Sequence, residues 1–476
     1  MRSIATMLAW ISLIAASPAD SQSWSPQPWL TDLAQAKQAF ATKYANLDWL
    51  EHDREVTLAS LFDEAADHLQ SARSDEEAKT IMNRLIKRVG DGHVSIDWPR
   101  IAAWQRTPAA VPTTRFDACA NLAFDENRNT PGIGASLSGY HAVGEPGPFP
   151  AGTIHFHRRT VGIIRISRFE PQESPATCRA AFQALHGSID GPCDDQCQDA
   201  LLTWSYDRIT RALEEQVRAL QAAGATVLLV DVTGNEGGSE WAEAAARIVS
   251  PKPLTSEALG FVRGPHWVEQ WTSLASQLRT AAASADAQDR QRLLDWAAKA
   301  EQSRERAAQQ CSPGQARSLV AQSGYATGLV GTAHAGEFAG KAWADLVFNI
   351  AQFPYHDSVW SGPLAVLVDD QTWSAAEQFA AVLQDNRAAV IVGARTGGAG
   401  CGHTNGGTPT VLQNSGATLE LPDCVRFRKD GSNEVAGIIP DVLTGMRHND
   451  GSAFKAKLVE AHLLETINLA TNLRAR

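Results

Sequence analysis

Beyond Ala16 the chain has no apolar run long enough to cross a bilayer as a helix, which takes about 20 residues. It has no run of basic residues either, and 42 lysines and arginines face 53 aspartates and glutamates, for a formal net charge of −11. That balance argues against nucleic acid and anionic membrane surfaces as partners, since both are bound through clustered positive charge. None of the seven cysteines forms a C-x-x-C pair, so the thiolate spacing of a zinc site is missing and neither metal nor cofactor is expected. The G-x-S-x-G elbow of α/β-hydrolases is missing too. No internal repeat or low-complexity tract occurs.

What is present begins with MRSIATMLAWISLIAASPADSQS. One arginine precedes the apolar stretch from Ile4 to Ala16, and Ser17-Pro18-Ala19 follows, the pattern of a secretory signal peptide over residues 1–19. The expected location is periplasmic or extracellular, where disulfides form. Cys193 and Cys197 are close enough for a local bridge, and Cys401 and Cys424 flank a Gly-rich segment that a bridge would staple. An odd count leaves at least one cysteine without an internal partner.

Residues 24–95 read as a helical domain. In EEAKTIMNRLIKRV the apolar positions Ala78, Ile81, Met82, Leu85 and Val89 form one stripe, which Gly90 ends. Residues 96–160 read as strands and loops; His155 and His157 would share one strand face, more in keeping with an ordinary strand than with a metal site. An α/β pattern runs from 161 to 445. VGIIRISRF and TVLLVDV read as strands, and TGNEGG as a tight loop leading into the helix SEWAEAAARIV, the units of a mainly parallel sheet. A charged helical insertion is expected over about 260–350, and a C-terminal helix over 446–476.

The stretch TWSAAEQFAAVLQD (372–385) follows the strand PLAVLVDD. Ser374 and Glu377 form a capping-box pattern, and Ala375, Ala376, Phe379, Ala380 and Leu383 would lie on one helical face. The serine therefore sits at a helix N-terminus beyond the carboxyl end of a strand, where open α/β sheets bind ligands. Such a helix start also has unpaired N–H groups and a dipole that favours negative charge. A nucleophile at Ser374 would find one oxyanion donor at the Ala375 N–H and a second at Gly237 or Gly238 of TGNEGG. Its base would be a histidine or a lysine. His93, flanked by Gly90 and Gly92, and His403, in GGAGCGHTNGG, are both candidates on these grounds.

Six blocks, DGHVS (91–95), VGIIRISRF (161–169), LLVDVTGNEGG (228–238), DDQTWSAAEQFAAVLQDN (369–386), VIVGARTGG (390–398) and EVAGIIPDV (434–442), stand in the order found in the C-terminal-processing, or tail-specific, serine peptidases. The chain resembles that family, which includes the tricorn core protease and the interphotoreceptor retinoid-binding protein. The resemblance implies a crotonase-like α/β superhelix preceded by a helical domain. It makes Ser374 the nucleophile of an S-A-x-E motif, with peptides or proteins as substrates. The processing proteases use a Ser/Lys dyad, but here the lysine position is filled by Ala399. The tricorn-like branch uses a histidine at the DGH position and a glutamate before the final P-D; these are His93 and Glu434. The implied set is Ser374 as nucleophile, His93 as general base and Glu434 in support, with His403 as the alternative base. Gly92 stands where that branch has a serine. Residues 94–160 are too short for a PDZ domain and lack its glycine pattern, so the layout resembles the PDZ-less branch. Two other functions fit the same fold: a non-catalytic binder of peptides or apolar ligands, and a CoA-ester enzyme, which the leader argues against.

Overall fold

The computed structural model describes residues 24–99, 115–125, 131–144, 147–185, 193–309 and 319–475. The leader and Cys311 lie outside them.

The chain opens with three helices, α1 (Gln27–Lys43), α2 (Leu58–Ser71) and α3 (Asp75–Val89). Ser74 caps α3 by accepting the Glu77 N–H, and Gly90 ends it in the left-handed region at φ 72°, which a side chain would disfavour. The apolar stripe of α3 packs with Trp29, Phe40 and Phe62 into one core. The turn after Gly90 carries Asp91 and His93 into β1 (Ser95–Asp97).

After α4 (Arg115–Asn121) come β2 (His141–Ala142), β3 (Ala151–Phe156) and β4 (Arg159–Arg165). His157 does not share a strand face with His155: β3 ends at Phe156, and His157 turns the hairpin at φ 53°. Then follow α5 (Pro175–Ala184), α6 (Asp195–Ala222), β5 (Val227–Asp231) and α7 (Trp241–Val249). The helical hairpin α8 (Pro265–Ser284) and α9 (Ala287–Ala308) stands between β6 (Ala258–Val262) and β7 (Val320–Tyr325), which pair with each other. The stretch read as a helical insertion is thus carried on a β-ribbon, and it also holds a short helix, α10 (Ala344–Val347).

The core resumes with β8 (Leu364–Val368), α11 (Ala375–Asp385) and β9 (Val390–Gly393). β10 (Thr410–Val411), β11 (Thr418–Glu420), β12 (Cys424–Phe427), β13 (Val442–Leu443) and α12 (Ser452–Ala475) complete the chain. The main sheet has the order β13-β9-β8-β5-β4-β3-β2, parallel from β13 to β4 and antiparallel at β3 and β2. Strands β5, β8 and β9 are buried along their whole length, as parallel strands covered on both faces must be. Two smaller antiparallel sheets, β12-β6-β7 and β1-β11-β10, flank it. This is the α/β architecture expected from the sequence.

Helix α11 is not amphipathic as the pattern suggested. Every residue from Ala375 to Leu383 is buried, Glu377 and Gln378 included. It lies between α7 and β9 and also touches the turn at Glu434, so no face is left for water. Its polar side chains consequently have protein partners, and those partners form the site.

Candidate active site

Ser374 links β8 to α11 with φ 55° and ψ −118°. An ordinary N-cap has extended backbone; this conformation is strained for any residue with a Cβ. The strand-to-helix elbow is therefore formed without the flanking glycines that usually announce it. The turn leaves the serine half-buried, with its Oγ 3.1 Å from His93 Nε2.

The imidazole is oriented from its other side. His93 Nδ1 lies 2.6 Å from the Ala399 carbonyl. A carbonyl only accepts, so Nδ1 carries the proton and Nε2 presents its lone pair to the serine. Burial lowers the His93 pKa below its usual 6.5, the Ala399 hydrogen bond opposes this, and the positive charge of Arg426 lowers it further. The net shift favours the neutral ring, the form able to accept a proton.

Asp91 fixes the backbone that carries His93. Its carboxylate accepts the His93 N–H at 2.9 Å, the Asn46 amide at 2.8 Å and the Tyr44 hydroxyl at 3.0 Å. Burial pushes its pKa up to about 6. Through Tyr44 and Asn46, the N-terminal helical region holds the turn in place.

Gly92 and Ala399 bring no polar side chain to the site. A Cβ at Gly92 would stand 2.6 Å from the Trp373 ring, so the indole has taken the space of a side chain there. Ala399 is a buried methyl whose N–H and C=O are both engaged.

Glu377 does more than cap the helix. It accepts the Ser374 N–H at 3.0 Å, the Thr396 hydroxyl at 2.6 Å, and the N–H groups of Gly398 and Ala399 at 2.8 Å each. One buried carboxylate thus ties the serine turn to the loop whose carbonyl orients His93. Burial raises its pKa to about 7.

The N–H groups of Ala375 and Gly238 have no acceptor among the described residues. The Gly237 N–H is engaged, donating to Asn235 Oδ1 at 2.8 Å. Gly237 nevertheless lies against the serine: a Cβ there, at φ 109°, would stand 2.9 Å from Ser374 Cβ and 3.1 Å from the Ala375 nitrogen. The glycine loop is fastened to the serine turn by the bond from Trp373 N–H to Asn235 O, 2.9 Å, and by Gly234 N–H to Asp369 Oδ1, 2.8 Å.

Glu434 does not bond to His93. It forms an ion pair with Arg426, whose Nη2 also reaches the carbonyls of Ser374 and Gly400. His403 packs edge-on against His93, with ring centroids 6.0 Å apart, and its pKa is lowered by burial and by His93. The Cys401–Cys424 disulfide staples this loop, as its position suggested; Cys193–Cys197 and Cys119–Cys178 are also bonded. The sequence reading missed Arg426 and the Ala399 carbonyl. Only Arg426 left a trace, as a charge inside the short strand CVRF.

The model of peptidase family S41 matches residues 160–444. Among solved structures, mature CPAF superposes with a TM-score of 0.57 at 15% identity, covering 93% of this chain and 98% of that one. CPAF complexed with lactacystin gives 0.55 at 14% identity, covering 93% and 99%. No curated protein sequence matches the chain.

Proposed function

The chain belongs to peptidase family S41 and is a serine peptidase, and from that premise we propose that Ser374 is its nucleophile, His93 its general base and Glu434 a supporting group. The observation that carries this reading is the 3.1 Å approach of Ser374 Oγ to a histidine whose Nδ1 is held by a carbonyl. His93 takes the hydroxyl proton as Ser374 Oγ attacks the substrate carbonyl. The oxyanion forms beside the Ala375 N–H, with Gly238 as second donor; Gly237 allows the close approach. His93 then returns its proton to the leaving amine. Water, deprotonated by the same imidazole, releases the acyl group. His403, with its ring edge to His93 and no bond to Ser374, is the weaker candidate for the base.

Substrates are peptides or proteins. Three disulfides suit an oxidising compartment, in keeping with export behind a leader. No described helix is long and apolar enough to cross a membrane.

Fluorescein-labelled casein tests the proposal. Wild type is expected to release fluorescent peptides, and Ser374→Ala to reduce the rate by at least about 10³-fold. Equal release by both proteins would exclude Ser374. No release by either, against a panel of unfolded proteins, would favour a peptide- or ligand-binding role for the same cleft.

A further inference from the structure

Arg426 lies on β12 and is 6% exposed. Its guanidinium forms a two-nitrogen ion pair with Glu434, through Nε and through Nη2 at 2.8 Å. The same Nη2 donates to the Gly400 carbonyl at 2.7 Å and reaches the Ser374 carbonyl at 3.3 Å. Those two carbonyls belong to different loops. One follows β8 and carries the serine; the other follows β9 and carries Ala399, which orients His93.

Glu377 grips the same two loops by their N–H groups, at Ser374, Gly398 and Ala399. Arg426 grips them by their C=O groups. A carboxylate suits the first task, and the second needs a donor able to serve several acceptors in one plane. We infer that Arg426 is a positioning residue for the Ser374–His93 pair, and that Glu434 acts on the site through this arginine rather than on the histidine. The inference rests on the reading of Ser374 and His93 as nucleophile and base.

A second acidic side chain strengthens the case. Glu257 is buried with neither oxygen hydrogen-bonded among the described residues, 3.7 Å from Arg426 Nε, and burial pushes its pKa up. An arginine serving only to neutralise buried acid would turn its free nitrogens to Glu257. Arg426 gives its Nη2 to the two loops instead.

The test uses a fluorophosphonate probe, with the saturating labelling rate and the half-saturating concentration measured separately from pH 5 to 9. Wild type, Arg426→Lys, Glu434→Gln and the double variant are compared. Lysine keeps the charge but has one nitrogen, which cannot keep the two-nitrogen pair with Glu434 and both carbonyls together, so Arg426→Lys should lower the saturating rate at least about tenfold, the scale of hydrogen bonds to charged groups. The half-saturating concentration should stay within about twofold, because probe binding is not the step affected. Glu434→Gln should lower the rate as well, because the guanidinium loses the carboxylate that holds it against the two carbonyls. The double variant should be no slower than the slower single one, as for residues acting in series. Should Arg426→Lys fail to fold, Glu434→Gln carries the same readout, a lower saturating rate at an unchanged half-saturating concentration.

A wild-type rate in variants with lowered melting temperatures would make the arginine a stability element and overturn the inference. So would additive losses in the double variant, which would give Glu434 a path of its own. Wild-type protein that takes no probe at Ser374 would overturn the serine–histidine reading, and this inference with it.

Discussion

As the proposed nucleophile, Ser374 would bear the conflict between stability and chemistry in its own backbone. At φ 55° and ψ −118° an L side chain is strained by about 1–3 kcal/mol. Glycine removes that strain, so Ser374→Gly should be more stable than Ser374→Ala by about 1 kcal/mol in denaturant unfolding, with both inactive. Equal stabilities would mean that the turn stores no strain. At His93, burial and Arg426 hold the pKa below 6.5. Only the neutral ring can take a proton, so activity should rise with pH through a midpoint below 6.5 and be lost below it. A pH–rate profile checks this, and a midpoint above 7 would contradict the assignment. The serine and histidine were legible because their neighbours form recognisable blocks. The strain was not, since TWSAAE carries no glycine to signal a positive φ.

Among the elements, α11 and the two loops around it form one unit. Glu377 was legible as a helix cap because a cap is local, three residues from Ser374. Its bonds to Thr396, Gly398 and Ala399 are not local, and spacing cannot announce them. Gln at 377 would turn an NH₂ toward donors now accepted by a carboxylate. Glu377→Gln should therefore lose about 2–4 kcal/mol of stability and free the Ala399 carbonyl from His93. The expected signature is a fall in both melting temperature and peptidase rate; an unchanged rate would show that the loop holds its carbonyl unaided. Helix α11 also shows the limit of periodicity. Its apolar positions suggested one buried face, but the helix lies between α7 and β9, and its glutamate and glutamine are buried as well.

In the whole molecule the site is assembled from distant parts of the chain. His93 comes from the end of the N-terminal helices, Ser374 from the sheet, and Arg426 from the flanking β12-β6-β7 sheet that carries the helical hairpin. The order of motifs revealed the α/β core, whereas the β-ribbon beneath the α8–α9 hairpin was hidden by the longer, more strongly charged helices between its strands. The Cys401–Cys424 disulfide joins the His93-covering loop to the strand of Arg426 and closes 23 residues of sequence. Loop-closure entropy puts its contribution at about 3 kcal/mol. Cys401→Ser with Cys424→Ser should lower stability by about that amount and slow the peptidase. Full activity at undiminished stability would mean that Asp423, which accepts the Thr404 N–H and donates its own N–H to Gly402, holds the loop alone.

The most direct test of the central claim is to map the residue labelled by a fluorophosphonate in wild type, Ser374→Ala, His93→Ala and His403→Ala. The account predicts labelling at Ser374 in wild type and in His403→Ala, and none in the other two. Labelling that survives loss of His93 but not of His403, or that falls on another residue, would contradict it.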